Sequence, residues 1–566
     1  MKQHLLQQML FCILAVRGTH GVAQYTYDWV KQFGGGQTEW GNTITTDNNG
    51  NVITGGSFMF TVDFDPDEFG VAELSTVGND NGFICKLDAA GNYLWATSIE
   101  GESNVRAIAT DSEGYVYAAG TFQGSVDFDA GSGEVLMNSN GANDAFLAKY
   151  SPGGEVIWVK SFGGQNHDGV VAMDTSENGT IAVCGYFVYT VDFDPGAGVS
   201  EFTAIEFPQQ NDCFISQFDL NGNFQWVHVM GGASIQSADD VAFDEQGNVI
   251  CTGRFGDYIN CDPGVSDFTL NNVAETTATD AYIVKLDSDG GFHWAKQLGG
   301  QDNDGGTGIA ADADGNIYSS GYFGLTADFD PGSGAFELMV NGVFYDIYIS
   351  KLDADGNFVW ARQMGSSAND GAESIAVDSA GNVYTTGHTG GICDLDPGEG
   401  VANFDWEGEG DIFISVLDPN GEYLWGENFG AFAFDMGTEI AVDESHIYVT
   451  GEFSENLANF GDFDLNAAGN DDAFVFKLTH PIAEGVNNPA PKPLHLFPNP
   501  TSDLLHISGI STSATVTITD CSGKEIVSEK INGHQPLNIS ALQNGIYFIL
   551  IEENATTLAA KLLVAE

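Results

Sequence analysis

Between positions 308 and 364 the chain reads as four short apolar runs: GIAAD at Gly308–Asp312, NIYSSGYF at Asn316–Phe323, DIYISKL at Asp346–Leu352 and NFVWARQM at Asn357–Met364. Each run alternates in polarity or is continuously apolar, and none is long enough or suitably spaced for a helix. The same turn, DADGN, joins the first pair at Asp312–Asn316 and the second pair at Asp353–Asn357. In it Asp opens the turn and Gly supplies the positive φ that a tight hairpin needs. The pattern predicts a four-stranded antiparallel unit.

That unit recurs. Trp29, Trp95, Trp158, Trp226, Trp294, Trp360 and Trp425 follow one another at intervals of 63 to 68 residues. An acidic turn keeps the same period: Asp63 and Asp65 in DFDPD, Asp127 and Asp129 in DFDAG, Asp192 and Asp194 in DFDPG, Asp262 in NCDPG, Asp328 and Asp330 in DFDPG, Asp394 and Asp396 in DLDPG, and Asp462 and Asp464 in DFDLN. Two unrelated residue types sharing one period mark a repeat array. Seven four-stranded units predict an all-β protein whose main body is a seven-bladed β-propeller. The last unit lacks a Trp strand after Leu478, while Tyr27–Phe33 is a Trp strand without partners. The two ends are therefore expected to complete one blade and close the ring, which removes an unpaired edge.

Composition narrows the setting. With 17 Lys and Arg against 80 Asp and Glu, the formal charge is −63. Such a surface repels phosphate backbones and anionic lipid, so nucleic acid is not an expected partner. At 43% hydrophobic residues the chain has ample material for a core. The N-terminal MKQHLLQQMLFCILAVRGTHGVA has Lys2, an apolar run at Met9–Val16 and small residues ending at Ala23. It reads as a signal peptide over residues 1–23, too short to span a bilayer, with Phe11 before Cys12 arguing against a lipoprotein site. No later stretch has transmembrane length. Cys85, Cys184, Cys213 and Cys251 lie in apolar runs and read as buried small hydrophobes. A Cys251–Cys261 bridge is a weak alternative.

Antiparallel alternation puts both DxxGN hairpins of a unit on one rim. The FGG connections and the long second-to-third loops, with their acidic turns, go to the other. Function usually sits on long loops of a rigid scaffold, so the second rim is the expected functional face. The acidic turns are weak candidate calcium ligands: calcium takes six to eight oxygens, and one copy offers two carboxylates and some carbonyls. The turn-capping reading is preferred, with Phe tucked inward, Asp capping and Pro stiffening. The seven repeat Trp residues are read as carrying most of the packing between blades, each able to bury about 150–250 Å2. Trp40 and Trp406 lie outside that register and are candidate contact residues. His167, His228, His293, His388 and His446 match no metal-ligand spacing and read as surface or loop residues.

The DAFIxKLDxxGNxxW and IAxDxxGNVYxxGxF patterns over about residues 27–478 resemble the SBBP seven-bladed propeller repeats of secreted bacterial proteins. That resemblance implies the fold and carries no catalytic residues. After a Pro/Asn-rich linker at 479–493, residues 494–566 read as short strands of a small Ig-like β-sandwich. The motifs FPNPTSD (Phe497–Asp503), TDCSGKEI (Thr519–Ile526), LNISALQNGIYFILI (Leu537–Ile551) and KLLV (Lys561–Val564) closely resemble the type A C-terminal sorting domain of the Bacteroidetes type IX secretion system. The resemblance implies that residues 494–566 engage that secretion machinery and that the propeller, residues 24–478, is secreted or held at the cell surface.

The expected function is therefore a non-enzymatic binding or adhesion scaffold for an extracellular glycan or protein, with no catalytic residues and no cofactor beyond a candidate calcium. Equivalent loops around a ring suit multivalent contact. The alternatives are a polysaccharide hydrolase or lyase, and a structural protein of the surface layer or biofilm matrix. LDADGNFVW resembles the aspartate box of sialidase propellers only loosely, since Asp355 and Gly356 are adjacent, and 17 basic residues make an arginine triad implausible. A deep pocket on the long-loop face with unlike residues from different blades converging in it would favour chemistry, and a shallow symmetric ring would favour contact.

Overall fold

The computed structural model describes residues 25–479, apart from short loop stretches (68–69, 132, 206–210, 275–277, 399, 405, 407, 455–456 and 461–462), and parts of 495–564. Every regular element in these residues is a strand. Seven four-stranded antiparallel blades follow one another. Blade I comprises Glu39–Thr46, Val52–Asp63, Glu73–Leu87 and Tyr93–Ile99, and blade II Ser103–Thr110, Val116–Asp127, Leu136–Tyr150 and Val156–Phe162. Blade III comprises Gly169–Thr175, Thr180–Phe187, Asp212–Asp219 and Phe224–Met230, and blade IV Gln236–Phe243, Val249–Gly256, Thr279–Leu286 and Phe292–Gly300. Blade V comprises Gly305–Ala311, Ile317–Phe323, Asp346–Leu352 and Phe358–Met364, and blade VI Asp370–Val377, Val383–Thr389, Asp411–Leu417 and Tyr423–Phe429. Blade VII takes Met436–Val442, His446–Ser454 and Asp471–Thr479 from one end of the propeller and Thr26–Phe33 from the other. Thr26–Phe33 runs antiparallel to Asp471–Thr479, from Thr26 opposite Thr479 to Phe33 opposite Ala473. The ring closes as the unpaired end strands predict.

The DxxGN hairpins are local devices with a tertiary use. In blade I, Asp47 Oδ1 accepts the Asn49 and Asn51 backbone N–H groups at 2.8 and 3.1 Å, and Asn51 Nδ2 donates to Oδ2 at 2.8 Å. The same carboxylate meets Lys86 of the third strand at 2.8 Å, with both side chains buried. Lys285 repeats this on Asp244 at 2.9 Å, Lys149 on Asp111 at 3.4 Å and Lys351 on Asp312 at 3.8 Å. A substantial share of the chain's few cations is thus committed inside blades. The hairpin between third and fourth strands also receives the Trp of the preceding blade. Trp95 Nε1 donates to Pro152 O at 2.9 Å and Trp360 Nε1 to Pro419 O at 3.1 Å, and a Cβ on Gly154 would lie 2.8 Å from the Trp95 ring. Where the chain ends leave that hairpin open, Tyr25 stacks on Trp425 at 4.0 Å between ring centroids.

The Trp residues nonetheless do not make up most of the packing between blades. Trp29 and Trp360 are buried, but Trp95, Trp158, Trp226, Trp294 and Trp425 are only half-buried on the outermost strands. The fully buried clusters are built of Phe, Tyr, Ile and Val, and they straddle neighbouring blades: Ile53 and Ile84 of blade I pack with Val116, Phe122 and Phe146 of blade II. The outer strand twists away from the core, and a ring as large as indole covers its edge instead of filling it. All six cysteines described, including Cys251 and Cys261, are buried and free, so the weaker bridge reading is wrong.

The residues from 482 onward form a separate unit, whose boundary falls inside the expected linker. Its strands make two antiparallel sheets: His495–Phe497, Leu504–Ser508 and Leu537–Asn538 in one, and Glu525–Asn532, Ser513–Thr519, Gly545–Glu553 and Thr556–Val564 in the other. Leu505 and Leu537 of the first sheet and Val516, Ile518 and Ile549 of the second are buried. The signal-peptide reading for residues 1–23, most of the linker and the FPNPTSD turn fall outside the described residues, as does Asp462.

Candidate functional site: the long-loop rim and the channel mouth

The acidic turns lie on the rim expected of them, but their form was not foreseen. Each long loop folds into a short two-stranded ribbon, such as Thr190–Asp192 with Glu201–Thr203 in blade III and Thr326–Asp328 with Glu337–Met339 in blade V, and the turn is its tip. In blades I and II the ribbon continues the second and third strands past a register shift at Phe60 and at Gly124. The first Asp caps the tip. Asp192 Oδ1 accepts the Asp194 and Ser200 backbone N–H groups at 3.1 and 2.7 Å, and Asp194 Oδ1 accepts Gly196 N–H at 2.8 Å. Asp328 and Asp330 repeat these contacts, as do Asp63 and Asp65, Asp127 and Asp129, and Asp394 and Asp396. In blade IV, Asn260 Oδ1 accepts Asp262 N–H at 3.1 Å, and Asp262 Oδ2 accepts Ser266 N–H at 2.9 Å. Asp464 lies in the blade VII ribbon opposite Asn459.

The ribbon is also a clasp. Its backbone pairs with the end of the outer strand of the preceding blade: Glu100 with Asp127, Gly299 with Asp328, Gly365 with Asp394, and Gly34 with Asp63 across the ring closure. The apolar residue between the two Asp positions is driven into the junction between blades. Phe64, Phe128, Phe193, Phe329, Cys261 and Leu395 are all buried, and Phe64 sits 5.6 Å from Phe33 of blade VII. Among the described residues, no group of three or more His, Cys, Asp or Glu is arranged to hold a metal ion.

The inner surface of the propeller breaks the sevenfold pattern. Every first strand carries a bulge at the same place. The bulged residues are Asn42, Arg106, Val171, Asp239, Thr307, Glu373 and Thr438, and all of them line one narrow cavity of about 110 Å3 on the axis, the central channel. A β-bulge re-aims a side chain, which is how the first strands turn one residue each toward the axis. Around the channel, inner strands are tied to their neighbours: Asp174 Oδ2 accepts Phe243 N–H at 2.9 Å, Asp240 Oδ2 accepts Ile309 N–H at 2.7 Å, and Glu439 accepts Ile44 N–H. Burial pushes the Asp174 carboxyl up to about 6 and the Glu439 carboxyl up to about 7.

Above the channel, on the long-loop rim, a cleft of about 490 Å3 opens over blades IV, V and VI. Its lining includes Arg254, Tyr322 and His388, which occupy one equivalent position near the end of the second strand, with Tyr345, Asn303 and Glu373. Arg254 Nη1 donates to Tyr322 Oη at 2.7 Å, and Asn303 Nδ2 donates to Tyr345 Oη at 3.0 Å. The Tyr322 and Tyr345 rings meet edge to face at 5.4 Å. Glu373 Oε1 lies 3.6 Å from His388 Nδ1, and the imidazole packs on Phe434 at 5.2 Å. Gly305 and Gly371 lie opposite Tyr322 and His388 across the first strand; a methyl there would come within 2.8 and 2.9 Å of those rings. Thus His388, expected as a surface or loop residue, is a half-buried strand residue at the channel mouth. His228 and His446 are half-buried strand residues too, and His228 Nε2 bonds Cys261 O at 2.7 Å, whereas His293 and His167 are exposed. Trp40 lies half-buried on the first strand of blade I opposite Ser57, and Trp406 is exposed. A signal for the mouth was present in the sequence. Second strands close on Gly-x-Phe (Thr in blade VI), and x runs Ser57, Thr121, Tyr186, Arg254, Tyr322, His388, Glu452 between near-constant neighbours.

Comparison with known proteins agrees with this architecture. Residues 293–322 and 359–392 match the β-propeller repeat family abbreviated SBBP, and residues 495–565 match the secretion system C-terminal sorting domain. The chain carries SBBP propeller repeats and a type IX secretion C-terminal sorting domain. The sorting-domain match supports export to the cell surface or the medium. An uncharacterized WD repeat-containing protein of Acanthamoeba polyphaga mimivirus is 23% identical over 510 residues, 76% of this chain and 36% of that protein. The regulatory protein FlaEY of Caulobacter vibrioides is 24% identical over 170 residues, 29% of this chain and 17% of that protein. The chain thus spans about a third of the length of the first relative and about a sixth of the second. Among solved structures, Sqt1 of Chaetomium thermophilum is 10% identical, with a TM-score of 0.36 over 76% of this chain and 97% of that one.

Proposed function

We propose that this SBBP propeller is an exported, non-enzymatic binding scaffold that recognises an extracellular glycan or protein through its long-loop rim. The reading is carried by the concave cleft over blades IV–VI, open on the rim that also bears the long loops; the unlike side chains that three blades bring to it support the hydrolase alternative as well. Ligand sites are concave, of about 300–1,000 Å3, and combine apolar walls with a few placed polar groups. Incubating the exported full-length protein with glycan and extracellular-protein arrays should give saturable binding to a defined class. Arrays at background throughout would end this reading, and sugar release from a polysaccharide panel would replace it with the hydrolase alternative, for which the Glu373–His388 pair is the group to substitute first.

In the same reading the acidic turns serve the scaffold and not calcium. Their capping oxygens already accept two backbone N–H groups each, as at Asp192 and Asp328. A chelator is therefore expected to leave the Tm unchanged within about 1 °C, whereas Asp328→Ala, which strips the tip of its cap, should cost about 1 kcal/mol by leaving two half-buried N–H groups without their acceptor. Calcium uptake by calorimetry, together with a Tm drop in chelator, would assign the turns to the ion instead.

A further inference from the structure

Resting on that reading, we infer that the cleft over blades IV–VI is a binding site for a neutral sugar, one or two residues of an uncharged oligosaccharide. Four features of the lining carry the inference. The first is an apolar surface: the rings of Tyr322 and Tyr345 stand edge to face at 5.4 Å, and Ile235, 58% exposed, borders the same cleft. A pyranose presents one face of C–H groups and an edge of hydroxyls, and an aromatic wall beside hydrogen-bonding groups matches both.

The second is unspent hydrogen-bonding capacity. A guanidinium has five N–H donors in a planar fork. Among the described residues Arg254 makes a single hydrogen bond, from Nη1 to Tyr322 Oη. The remaining donors, with Asn303, Glu373 and His388 in the same lining, form a set of planar donor and acceptor groups suited to vicinal diols.

The third is charge. Arg254 is held among acids, with Asp239 and Glu373 both acting on it, and burial raises the Asp239 carboxyl against the opposing pull of Arg254. A phosphate, sulfate or uronate would meet those carboxylates along with the single cation, in a chain of formal charge −63. A divalent cation would meet the guanidinium. A neutral polyol meets neither penalty, and both charged groups can bond to it.

The fourth is asymmetry. At the position occupied by Arg254, Tyr322 and His388, blades I and II carry Ser57 and Thr121, so the aromatic and guanidinium groups are concentrated on one side of the mouth. The ribbons are near copies around the ring, and this cleft is not. That places recognition here and assigns the acidic turns to structure.

The test uses the full-length protein and isothermal titration against neutral di- and trisaccharides of glucose, mannose, galactose and N-acetylglucosamine, with uronate and sulfated sugars alongside. A neutral member should bind, and Tyr322→Ala and Arg254→Gln should each weaken it at least tenfold with Tm and circular dichroism unchanged. Thr121→Ala, across the mouth, should leave the affinity within twofold. If Arg254→Gln lowers the Tm, Tyr345→Phe, which removes one hydroxyl and its bond from Asn303, takes its place and should weaken binding at least threefold. Binding that survives these substitutions, a preference for acidic sugars, or an array that yields only a protein ligand overturns the sugar site and leaves the scaffold reading intact. An array and a titration both without any ligand overturn both.

Discussion

Removing residues 25–34 should abolish the monomeric propeller: the truncated protein should elute as aggregate and lose its cooperative melt. The strand Thr26–Phe33 supplies the fourth edge of blade VII, and without it Asp471–Thr479 presents a nine-residue row of unpaired N–H and C=O groups. The strand also bridges two cores. Val30 packs with Phe429 and Phe476 on the blade VI side, while Trp29 and Phe33 pack with Phe58, Phe64 and Phe83 on the blade I side. Phe33 is 0% exposed, so Phe33→Ala alone should cost about 3–5 kcal/mol, the usual range for emptying a buried Phe site. Loss of the strand removes three such anchors, the β-ladder and the Gly34–Asp63 clasp together. A truncated chain that remains monomeric and melts within a few degrees of the intact protein would show that the ring does not depend on its closure.

Acidification from pH 8 to pH 5 should raise the Tm by about 5–10 °C, opposite to the usual behaviour of a protein held by paired carboxylates. The cause is a set of acids buried at the long-loop end of the blades. Asp280 and Asp346 lie at the start of third strands and Asp144 within the longer third strand of blade II, Asp168 and Asp435 stand just before first strands, and all are at most 1% exposed. Burial pushes each of these carboxyls up to about 6, against backbone N–H donors that pull the other way, such as Gly164 and Val188 on Asp168. Glu39 is pushed by burial to about 7. Oδ1 of Asp144, Asp280 and Asp346 is buried without a hydrogen-bond partner among the described residues, as a neutral carboxyl tolerates better than a carboxylate.

For these groups the folded value lies above the unfolded value of about 4. Their contribution to stability is therefore fully present below about pH 4 and is lost as pH rises through 6 to 7. Each tenfold gain in proton affinity on folding is worth about 1.4 kcal/mol. The hairpin carboxylates set the lower limit. Burial opposes their charge, yet hydrogen bonds from Lys86 and Asn51 hold Asp47 below the ordinary range, and Asn248 and Lys285 do the same for Asp244. Their stabilisation therefore disappears as pH falls below about 4. The Tm should peak near pH 5, and Glu39→Gln should flatten the alkaline limb. A Tm that is level or rising between pH 5 and 8 would contradict this account.

How much was legible in advance follows from the range of the forces involved. The DxxGN hairpins are written in five consecutive residues, because an Asp side chain bonds its own turn and Gly relieves the positive φ, as at Gly50 with φ 73°. The strands are written in period-two apolarity, and the ring in the count of repeats and the complementary half-units at the two ends. The Asp–Phe–Asp turn was legible as a cap for the same local reason.

Its use as a clasp was not legible, because the pairing of Asp328 with Gly299 joins different blades, and three-residue ribbon strands carry no periodicity of their own. The first glycine of each FGG connection was visible only as a loop residue. In the fold a methyl on Gly163 would lie 2.4 Å from the Asp144 carboxyl carbon, so the glycine is there to let the backbone cross a buried acid.

The sequence by itself determined seven antiparallel blades, their hairpins and the joining of head to tail, since each rests on contacts within a few residues or on a period repeated seven times; the C-terminal sorting domain was legible through its resemblance to a known family. The tertiary structure alone decided which side chains meet at the axis. Arg254, Tyr322 and His388 stand 68 and 66 residues apart, at one position of three successive blades, and only the curvature of a closed ring brings them to a single cleft.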